Sequence, residues 1–246
     1  MVEGRSRLLL HSALRSVVAA MLVGVALAWF TDSMVNARGS FTFTAMVLLC
    51  VGGLLVLWRL VAHHPFDTFG AANQITLARG VLVMLLLAFV GAGSTHAQQV
   101  TAFWLALISS SMDVLDGWAA RRTKTCSAYG ARFDMETDAL LILTLSLLTW
   151  QFDKAGAWIL ASGLMRYGFV AASLVLPWLQ HELPSSLRRK TVAVIQVVSL
   201  ITAIAPWTPR SVSVAICACA LAGLGWSFLV DMVWLRKRSM NSVTAI

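Results

Sequence analysis

The sequence predicts an all-α membrane protein, a polytopic bundle of about eight transmembrane helices with both termini in the cytoplasm. Hydrophobic residues make up 59% of the chain and charged residues only 12%, and the mean hydropathy is +0.78. A soluble domain contains roughly 45–50% apolar and about 25% charged residues, so this composition excludes an ordinary soluble fold. Each membrane-spanning helix needs about 20 apolar residues, and a chain of 246 residues therefore accommodates about eight of them with short loops.

Apolar stretches of the required length occur along the whole chain. We predict spans at approximately 14–32, 42–62, 75–93, 97–117, 136–152, 155–177, 190–206 and 211–234. The first stretch has a basic start and is also compatible with a cleaved signal peptide. Its apolar run, from Val17 to Phe30, is long for that purpose and favours a retained helix.

Basic residues are distributed unevenly among the predicted loops. They cluster before the first span, between the fourth and fifth, between the sixth and seventh, and after the last: Arg5, Arg7, Arg15, Arg121, Arg122, Lys124, Arg132, Arg188, Arg189, Lys190, Arg236, Lys237 and Arg238. The alternate loops hold only Arg38, Lys154 and Arg210. This asymmetry places the termini and the basic loops in the cytoplasm. The net charge of +8 is therefore a topology signal and does not indicate nucleic-acid binding.

Five of the 11 acidic residues fall within 26 residues, around the loop between the fourth and fifth spans. One predicted helix face, at the spacing i, i+3, i+4, i+7, carries two carboxylates beside two small residues: Asp113, Asp116, Gly117 and Ala120. A second face repeats every four residues and carries Gly130, Asp134 and Asp138. The polar turn between them allows the two helices to pack antiparallel, with both acidic faces meeting at the cytoplasmic end of the membrane.

Carboxylates that face one another repel, and hard divalent cations with oxygen ligands relieve that repulsion. Two Mg²⁺ ions bridging a diphosphate would neutralise the charge on a leaving group, and Arg121 can donate to the same phosphate. The pattern therefore predicts a metal-bound diphosphate site. The alternative is a solvated loop in which the acids pair with nearby arginines, and this interpretation is favoured for Glu136. Asp113 and Asp116 end an apolar helix, which favours the metal site.

The fixed positions of these two faces follow the pattern D-x2-D-G-x2-A-R-x8-G-x3-D-x3-D. This pattern resembles the signature of the CDP-alcohol phosphatidyltransferases, and the segment "NQITLARG" from Asn73 resembles the start of that family's first core helix. The resemblance covers roughly residues 70–235. It divides the chain into an N-terminal extension with two transmembrane helices (1–69), a six-helix core (70–238) and a cytoplasmic tail (239–246).

The resemblance implies an enzyme of phospholipid biosynthesis, located in a bacterial inner membrane with its active site on the cytoplasmic face. A CDP-linked lipid such as CDP-diacylglycerol donates its phosphatidyl group to an alcohol, and CMP is released. By similarity, Asp113, Asp116 and Asp134 hold two Mg²⁺ or Mn²⁺ ions. Asp138 is a shared metal ligand or the base that takes the hydroxyl proton.

The same resemblance implies that three small residues make room for the cytidine diphosphate: Gly117, Ala120 and Gly130. Lys190, in "LRRKTVAVIQ", resembles the family's lysine–threonine step at the start of a later core helix. Arg166 stands out as the basic residue deep within a predicted span, where a charge is costly and by default functional; the alternative is an arginine that snorkels outwards.

Arg166, Arg188 and Lys190 are therefore predicted to converge on a phosphate carried by the acceptor, as in relatives that use glycerol 3-phosphate or inositol phosphate. The chain departs from the family at Leu187 and Arg188, where relatives have a glycine and a lysine.

It departs again at Met135 and Ala139, where relatives that make phosphatidylglycerophosphate or cardiolipin commonly have proline and lysine. Serine, inositol phosphate, choline-like alcohols and another lipid thus stay open as acceptors.

Two other classes of protein place acidic motifs in membranes. An intramembrane prenyltransferase also binds a lipid diphosphate through two aspartate-rich motifs and magnesium, but has no need of the three small residues at fixed spacing. A divalent-cation transporter needs carboxylates near the bilayer midplane on separated helices, whereas these lie at one end beside a basic loop. The expected partners are the two substrates, membrane lipids and, as in many relatives, a second copy of the chain.

Overall fold

The computed structural model describes residues 2–35, 39–58, 60, 69–123, 127–181, 183–184 and 186–243. Side chains are described for these residues except 2–8, 114–123 and 240–243. Within this part of the chain the fold is all-α, as the composition predicts. Its eight α-helices correspond in order to the eight predicted spans.

The helices, in chain order, are α1 (Val2–Val35), α2 (Ser40–Trp58), α3 (Ala71–Leu87), α4 (His96–Thr123), α5 (Ala128–Gln151), α6 (Leu160–Val175), α7 (Leu187–Ile204) and α8 (Arg210–Val243). Two short 3₁₀ segments, Ala157–Ile159 and Pro177–Gln180, precede and follow α6. Several helices continue beyond the apolar windows. The polar loop predicted between α4 and α5 is consequently shorter than its sequence indicated, because α4 extends to Thr123 and α5 begins at Ala128.

Four stretches of the described helices have the length and hydropathy needed to cross a membrane: Leu9–Val35, Ser40–Trp58, Ala157–Val175 and Arg210–Ser239. The apolar helix α3 is shorter, at 17 residues. The acidic and basic motif falls on α4 and α5, which lowers the mean hydropathy of those helices. The protein is an integral membrane protein, a polytopic helix bundle.

The chain divides into two compact units, residues 1–144 and 145–246, with the division inside α5. In the first unit, α1 packs on α2, α3 packs on α4, and α1 and α2 also contact α3. Asp32 on α1 holds the N-terminus of α2 in place. Its carboxylate accepts hydrogen bonds from the backbone N–H groups of Gly39, at 2.8 Å, and Thr42, at 3.3 Å. An acidic group at a helix N-terminus satisfies unpaired N–H groups and complements the helix dipole.

The turn from α3 to α4 is closed by a reciprocal pair of hydrogen bonds. Thr95 donates its N–H to Gln98 Oε1 at 2.8 Å, and Gln98 donates its N–H to Thr95 Oγ1 at 3.3 Å. This is the capping-box arrangement, and the Thr–x–x–Gln spacing produces it. Gly91 and Gly93 have φ of 85° and 106°, a region that favours glycine. A short, defined turn therefore places α4 against α3.

In the second unit, α7 packs on α8, and Lys154 holds the turn between them. The Lys154 ammonium is buried and donates hydrogen bonds to the carbonyl oxygens of Ala205 and Thr208, both at 2.8 Å. Carbonyl groups at a helix C-terminus have no partner within the helix, so a cation there stabilises the end of α7.

Candidate active site

Three helices of the first unit bring an arginine and three aspartates together. Arg79 lies on α3, Asp113 on α4, and Asp134 and Asp138 lie on α5. The spacing of four residues puts Asp134 and Asp138 on the same face of α5. One carboxylate of the first predicted face, Asp113, and two of the second, Asp134 and Asp138, meet at the guanidinium of Arg79.

The guanidinium contacts all three carboxylates. Arg79 Nη1 lies 2.9 Å from Asp113 Oδ1 and 2.6 Å from Asp134 Oδ1, and Nη2 donates to Asp138 Oδ1. The Arg79 side chain is 1% exposed, whereas the three carboxylates are between 38% and 44% exposed. The arginine thus forms the buried floor of the site, and the acids present oxygen atoms on the accessible side.

The chemistry of this group fits a divalent cation. One ligand oxygen from each of Asp113, Asp134 and Asp138 can be chosen so that all lie within 4.8 Å of one another. When all three are ionised, the carboxylates carry two more negative charges than the single guanidinium of Arg79 compensates. Carboxylate oxygens are the ligands that Mg²⁺ and Mn²⁺ prefer, and Mg²⁺ sites commonly use a few carboxylates together with substrate phosphate. These residues therefore suit a magnesium site.

Four predicted site residues are described only by their backbone. Asp116, Gly117, Ala120 and Arg121 lie in the continuous helix α4. Their predicted common face requires a helical backbone at these positions, and α4 provides it. The positions of their side chains fall outside the described residues, so their roles stay predictions.

Gly130 marks a close approach of α5 to α3. A Cβ atom at this position would lie 2.6 Å from Asn73 Oδ1 and 3.2 Å from Ser127 Oγ. Asn73 is buried in the first turn of α3, where its Nδ2 donates to Phe69 O at 2.6 Å. Ser127 Oγ accepts the Gly130 N–H at 2.9 Å and caps α5. A side chain at 130 would have to displace the Asn73 side chain or move α5, with Asp134 and Asp138, away from α3.

The residues predicted to bind the acceptor lie in the second unit. Arg166 is half-buried on α6, and Lys190 is exposed in the first turn of α7. Arg188 Nη1 donates to the carbonyl and hydroxyl oxygens of Ser227, at 2.6 and 2.8 Å, and Nη2 to Asp231 Oδ1 at 2.5 Å. Arg188 therefore fastens α7 to α8 within this unit. Convergence of the three basic residues on a phosphate stays a prediction.

The sequence analysis did not identify Arg79 as a site residue. It identified Arg166 as the charged residue deep within a predicted span. Arg79 falls inside the predicted span 75–93 and is the more deeply buried of the two. The signal was available, because a charge within an apolar span is costly unless it is paired. Asp231 on α8 contacts both Arg188 and Arg189 of α7, at 2.5 and 3.6 Å.

Comparison with known proteins decides the family. The sequence profile described as "CDP-alcohol phosphatidyltransferase" matches residues 69–228, well over half of the chain. The chain belongs to the CDP-alcohol phosphatidyltransferase family. The match spans Arg79 and all the carboxylates of the site. The resemblance drawn from the aspartate pattern is thereby confirmed.

A curated relative in this family is the CDP-diacylglycerol--glycerol-3-phosphate 3-phosphatidyltransferase of Bacillus subtilis (strain 168). It is 30% identical to the present chain over an alignment of 101 residues, and the match covers 37% of this chain and 52% of the relative. The similarity thus spans about half the length of that CDP-alcohol phosphatidyltransferase. No solved structure matches the chain.

Proposed function

We propose that this protein transfers the phosphatidyl group of CDP-diacylglycerol to an alcohol and releases CMP, as a step of phospholipid biosynthesis. The observation that carries the proposal is the meeting of Asp113, Asp134 and Asp138 at Arg79, inside the region that matches the family. The distribution of basic loops supports an active site on the cytoplasmic face, and the Bacillus subtilis relative supports a bacterial inner membrane.

The carboxylates would hold two Mg²⁺ or Mn²⁺ ions, with Asp116 completing the set. Bound there, the ions would neutralise the charge that develops on the CMP leaving group. Arg79 keeps the three described carboxylates in one arrangement, since a guanidinium offers several donors in a fixed plane. Outer-shell partners of this kind orient metal ligands and are nearly as important as the ligands themselves.

The reaction needs one proton transfer and one displacement at phosphorus. The hydroxyl oxygen of the acceptor forms a bond to the phosphorus that carries diacylglycerol, and the bond from this phosphorus to the CMP oxygen breaks. Asp138 would take the hydroxyl proton as the new bond forms, acting as a general base. Asp138 Oδ1 contacts Arg79, and Oδ2 is the atom that would accept the proton.

The cytidine diphosphate would lie along the small residues of the motif. Gly117 and Ala120 on α4 would leave that helix backbone open to a bulky ligand, and Arg121 would donate to its phosphates. The third small residue, Gly130 on α5, faces Asn73, which fills the space a side chain would take. The tight contact between Gly130 and Asn73 supports a close approach of α5 to α3 at this end of the site.

For the acceptor, glycerol 3-phosphate is the first candidate, because the Bacillus subtilis relative bears that substrate in its name. Arg166 and Lys190 would bind the acceptor phosphate, and Arg188, which donates to Ser227 and Asp231, would be the third basic residue of this group. The substitutions Met135 and Ala139 depart from relatives that make phosphatidylglycerophosphate. Serine, inositol phosphate and choline-like alcohols therefore belong in the same assay.

The test is an assay of the purified full-length protein in lipid nanodiscs, with CDP-diacylglycerol, Mg²⁺ and one acceptor at a time. We expect acceptor-dependent release of CMP and a lipid product whose mass gives the identity of the alcohol. A prenyl diphosphate in place of CDP-diacylglycerol serves as the control donor. Product formed from the prenyl donor alone, or no CMP with any acceptor, would contradict the proposal.

A further inference from the structure

The two N-terminal helices lie outside residues 69–228, which match the family, yet they share one compact unit with the carboxylate site. A buried apolar cluster joins α1 and α2 to the starts of α3 and α5. Its buried members are Leu9, Ala13, Val17, Val56, Leu60, Phe69, Leu77 and Tyr129. Burial of this surface holds α1 and α2 against the two helices that carry Arg79 and Asp134.

Tyr129, the second residue of α5, makes the polar contact within this cluster. Its hydroxyl donates to the carbonyl oxygen of Val56 at 2.6 Å, and the side chain is buried. Val56 lies in the last turn of α2, where carbonyl groups lack partners within the helix. Burial raises the pKa of Tyr129 to about 12, so the hydroxyl is protonated and donates at any working pH. The phenol thus fastens α5 to the end of α2.

A second connection runs from α1 to the start of α3. Ser12 Oγ accepts the backbone N–H of Phe69, immediately before α3, at 3.3 Å, and Gln74 Nε2 donates to Ser16 Oγ at 3.4 Å. The first turn of α3 then contacts Gly130 on α5 through Asn73. The N-terminal helices therefore contact α3, which carries Arg79, and α5, which carries Asp134 and Asp138. Each contact includes a hydrogen bond.

We propose that α1 and α2 position the metal site, with Tyr129 and Ser12 as the positioning residues. Tyr129 lies five residues before Asp134, little more than one helical turn. The hydrogen bond from Tyr129 to Val56 fixes the rotation of α5 about its axis and its position along that axis. The distances from Asp134 and Asp138 to Arg79 depend on both. The inference rests on the proposed function, because it treats the three carboxylates as metal ligands.

The test compares Tyr129→Phe and Ser12→Ala with the wild-type full-length protein. Both variants remove one hydroxyl group, and neither residue belongs to the set proposed to bind metal or substrate. Mn²⁺ binding is measured directly by electron paramagnetic resonance, and the Mg²⁺ concentration for half-maximal CMP release is measured in parallel. We expect each variant to weaken metal binding about tenfold, the lower end of the range for outer-shell changes, with a smaller change in kcat at saturating Mg²⁺.

Ser162→Ala is the matched control, since Ser162 is buried and hydrogen-bonded within the other unit. We expect it to lower the Tm by a similar amount without changing Mn²⁺ affinity. The positioning role is contradicted if Tyr129→Phe and Ser12→Ala also lower only the Tm and bind Mn²⁺ as the wild type does. Failure of the wild type to bind Mn²⁺ or release CMP would instead overturn the proposed function, so the two failures are distinguishable.

Discussion

At the scale of single residues, Arg79 has the largest consequences for the site. A buried guanidinium bonded to three carboxylates satisfies charges that would otherwise repel at short range. Sequence patterns identified the acids because they recur at helical spacing on α4 and α5. The same patterns could not pair Arg79 with those acids. Arg79 precedes Asp113 by 34 positions and lies on a different helix, and helical periodicity does not continue from one helix to the next.

Replacement of Arg79 tests this role. We expect Arg79→Met to lose about 2–3 kcal/mol of stability, below the range for a fully buried pair because the carboxylates are partly exposed. Mg²⁺ should raise the Tm of this variant more than that of the wild type, because the carboxylates then face one another without a guanidinium. Thermal unfolding in detergent, with and without Mg²⁺, measures both effects.

Arg210→Met is the control for that experiment. Arg210 lies 2.9 Å from Asp153, but both side chains are exposed, and such pairs contribute roughly 0–1 kcal/mol. An Arg79 variant that unfolds like the Arg210 variant, with no added response to Mg²⁺, would show that the guanidinium does not organise the acids.

Gly130 carries a second prediction at this scale. Gly130→Ala should cost about 1–3 kcal/mol, since its Cβ would meet Asn73 Oδ1 at 2.6 Å. Adding Asn73→Ala removes the obstructing oxygen, so the double variant should lose less stability than the sum of the single variants. Gly223→Ala, at a helical glycine with open space around it, is the control and should be neutral or stabilising. Strict additivity of the Gly130 and Asn73 changes would contradict the close approach.

At the scale of elements, hydropathy located the helices well and their ends poorly. All eight predicted spans correspond to helices, but α1, α4, α5 and α8 extend several residues past the apolar windows. The reason is physical: hydropathy reports the depth of a residue in lipid, whereas a helix ends where its hydrogen bonds end. The predicted apolar windows therefore leave out part of the acidic motif, although the described part of it lies on helices, as the two predicted helix faces require.

Lys154 gives a prediction for the connection of α7 to α8. Its ammonium donates to the carbonyl oxygens of Ala205 and Thr208, so Lys154→Met should leave these acceptors unsatisfied and lower stability by about 2 kcal/mol. Lys237→Met, at an exposed position on α8, should leave the Tm unchanged. Equal Tm values for the two variants would contradict the bridging role of Lys154.

The first turn of α7 gives a prediction that separates structure from substrate binding. Arg188 is bonded to Ser227 and Asp231, so Arg188→Ala should lower the Tm. Lys190 is exposed, so Lys190→Ala should leave the Tm unchanged and raise the KM for a phosphorylated acceptor about 10–100-fold, the value of one charge-assisted hydrogen bond. Steady-state kinetics with varied acceptor measures this change. A rise in the KM for CDP-diacylglycerol instead would move Lys190 to the donor site.

At the scale of the whole molecule, composition predicted a polytopic all-α membrane protein, and the aspartate pattern predicted the family by resemblance; both predictions are confirmed. The structure adds two compact units, 1–144 and 145–246, which do not coincide with the predicted extension, core and tail. That predicted division stays a prediction. Units of this kind depend on which helices pack together, and hydropathy carries no information about packing partners because lipid and protein interiors are equally apolar.

The central claim is that the carboxylates at Arg79 hold the cation required for phosphatidyl transfer. The most direct measurement is CMP release from CDP-diacylglycerol with glycerol 3-phosphate and varied Mg²⁺, for Asp134→Ala beside Glu136→Gln. Both changes remove one negative charge from α5, but Asp134 belongs to the carboxylate group and Glu136 does not. We predict that the Asp134 variant releases no CMP at any Mg²⁺ concentration, while the Glu136 variant matches the wild type. Wild-type release of CMP by Asp134→Ala would contradict the account.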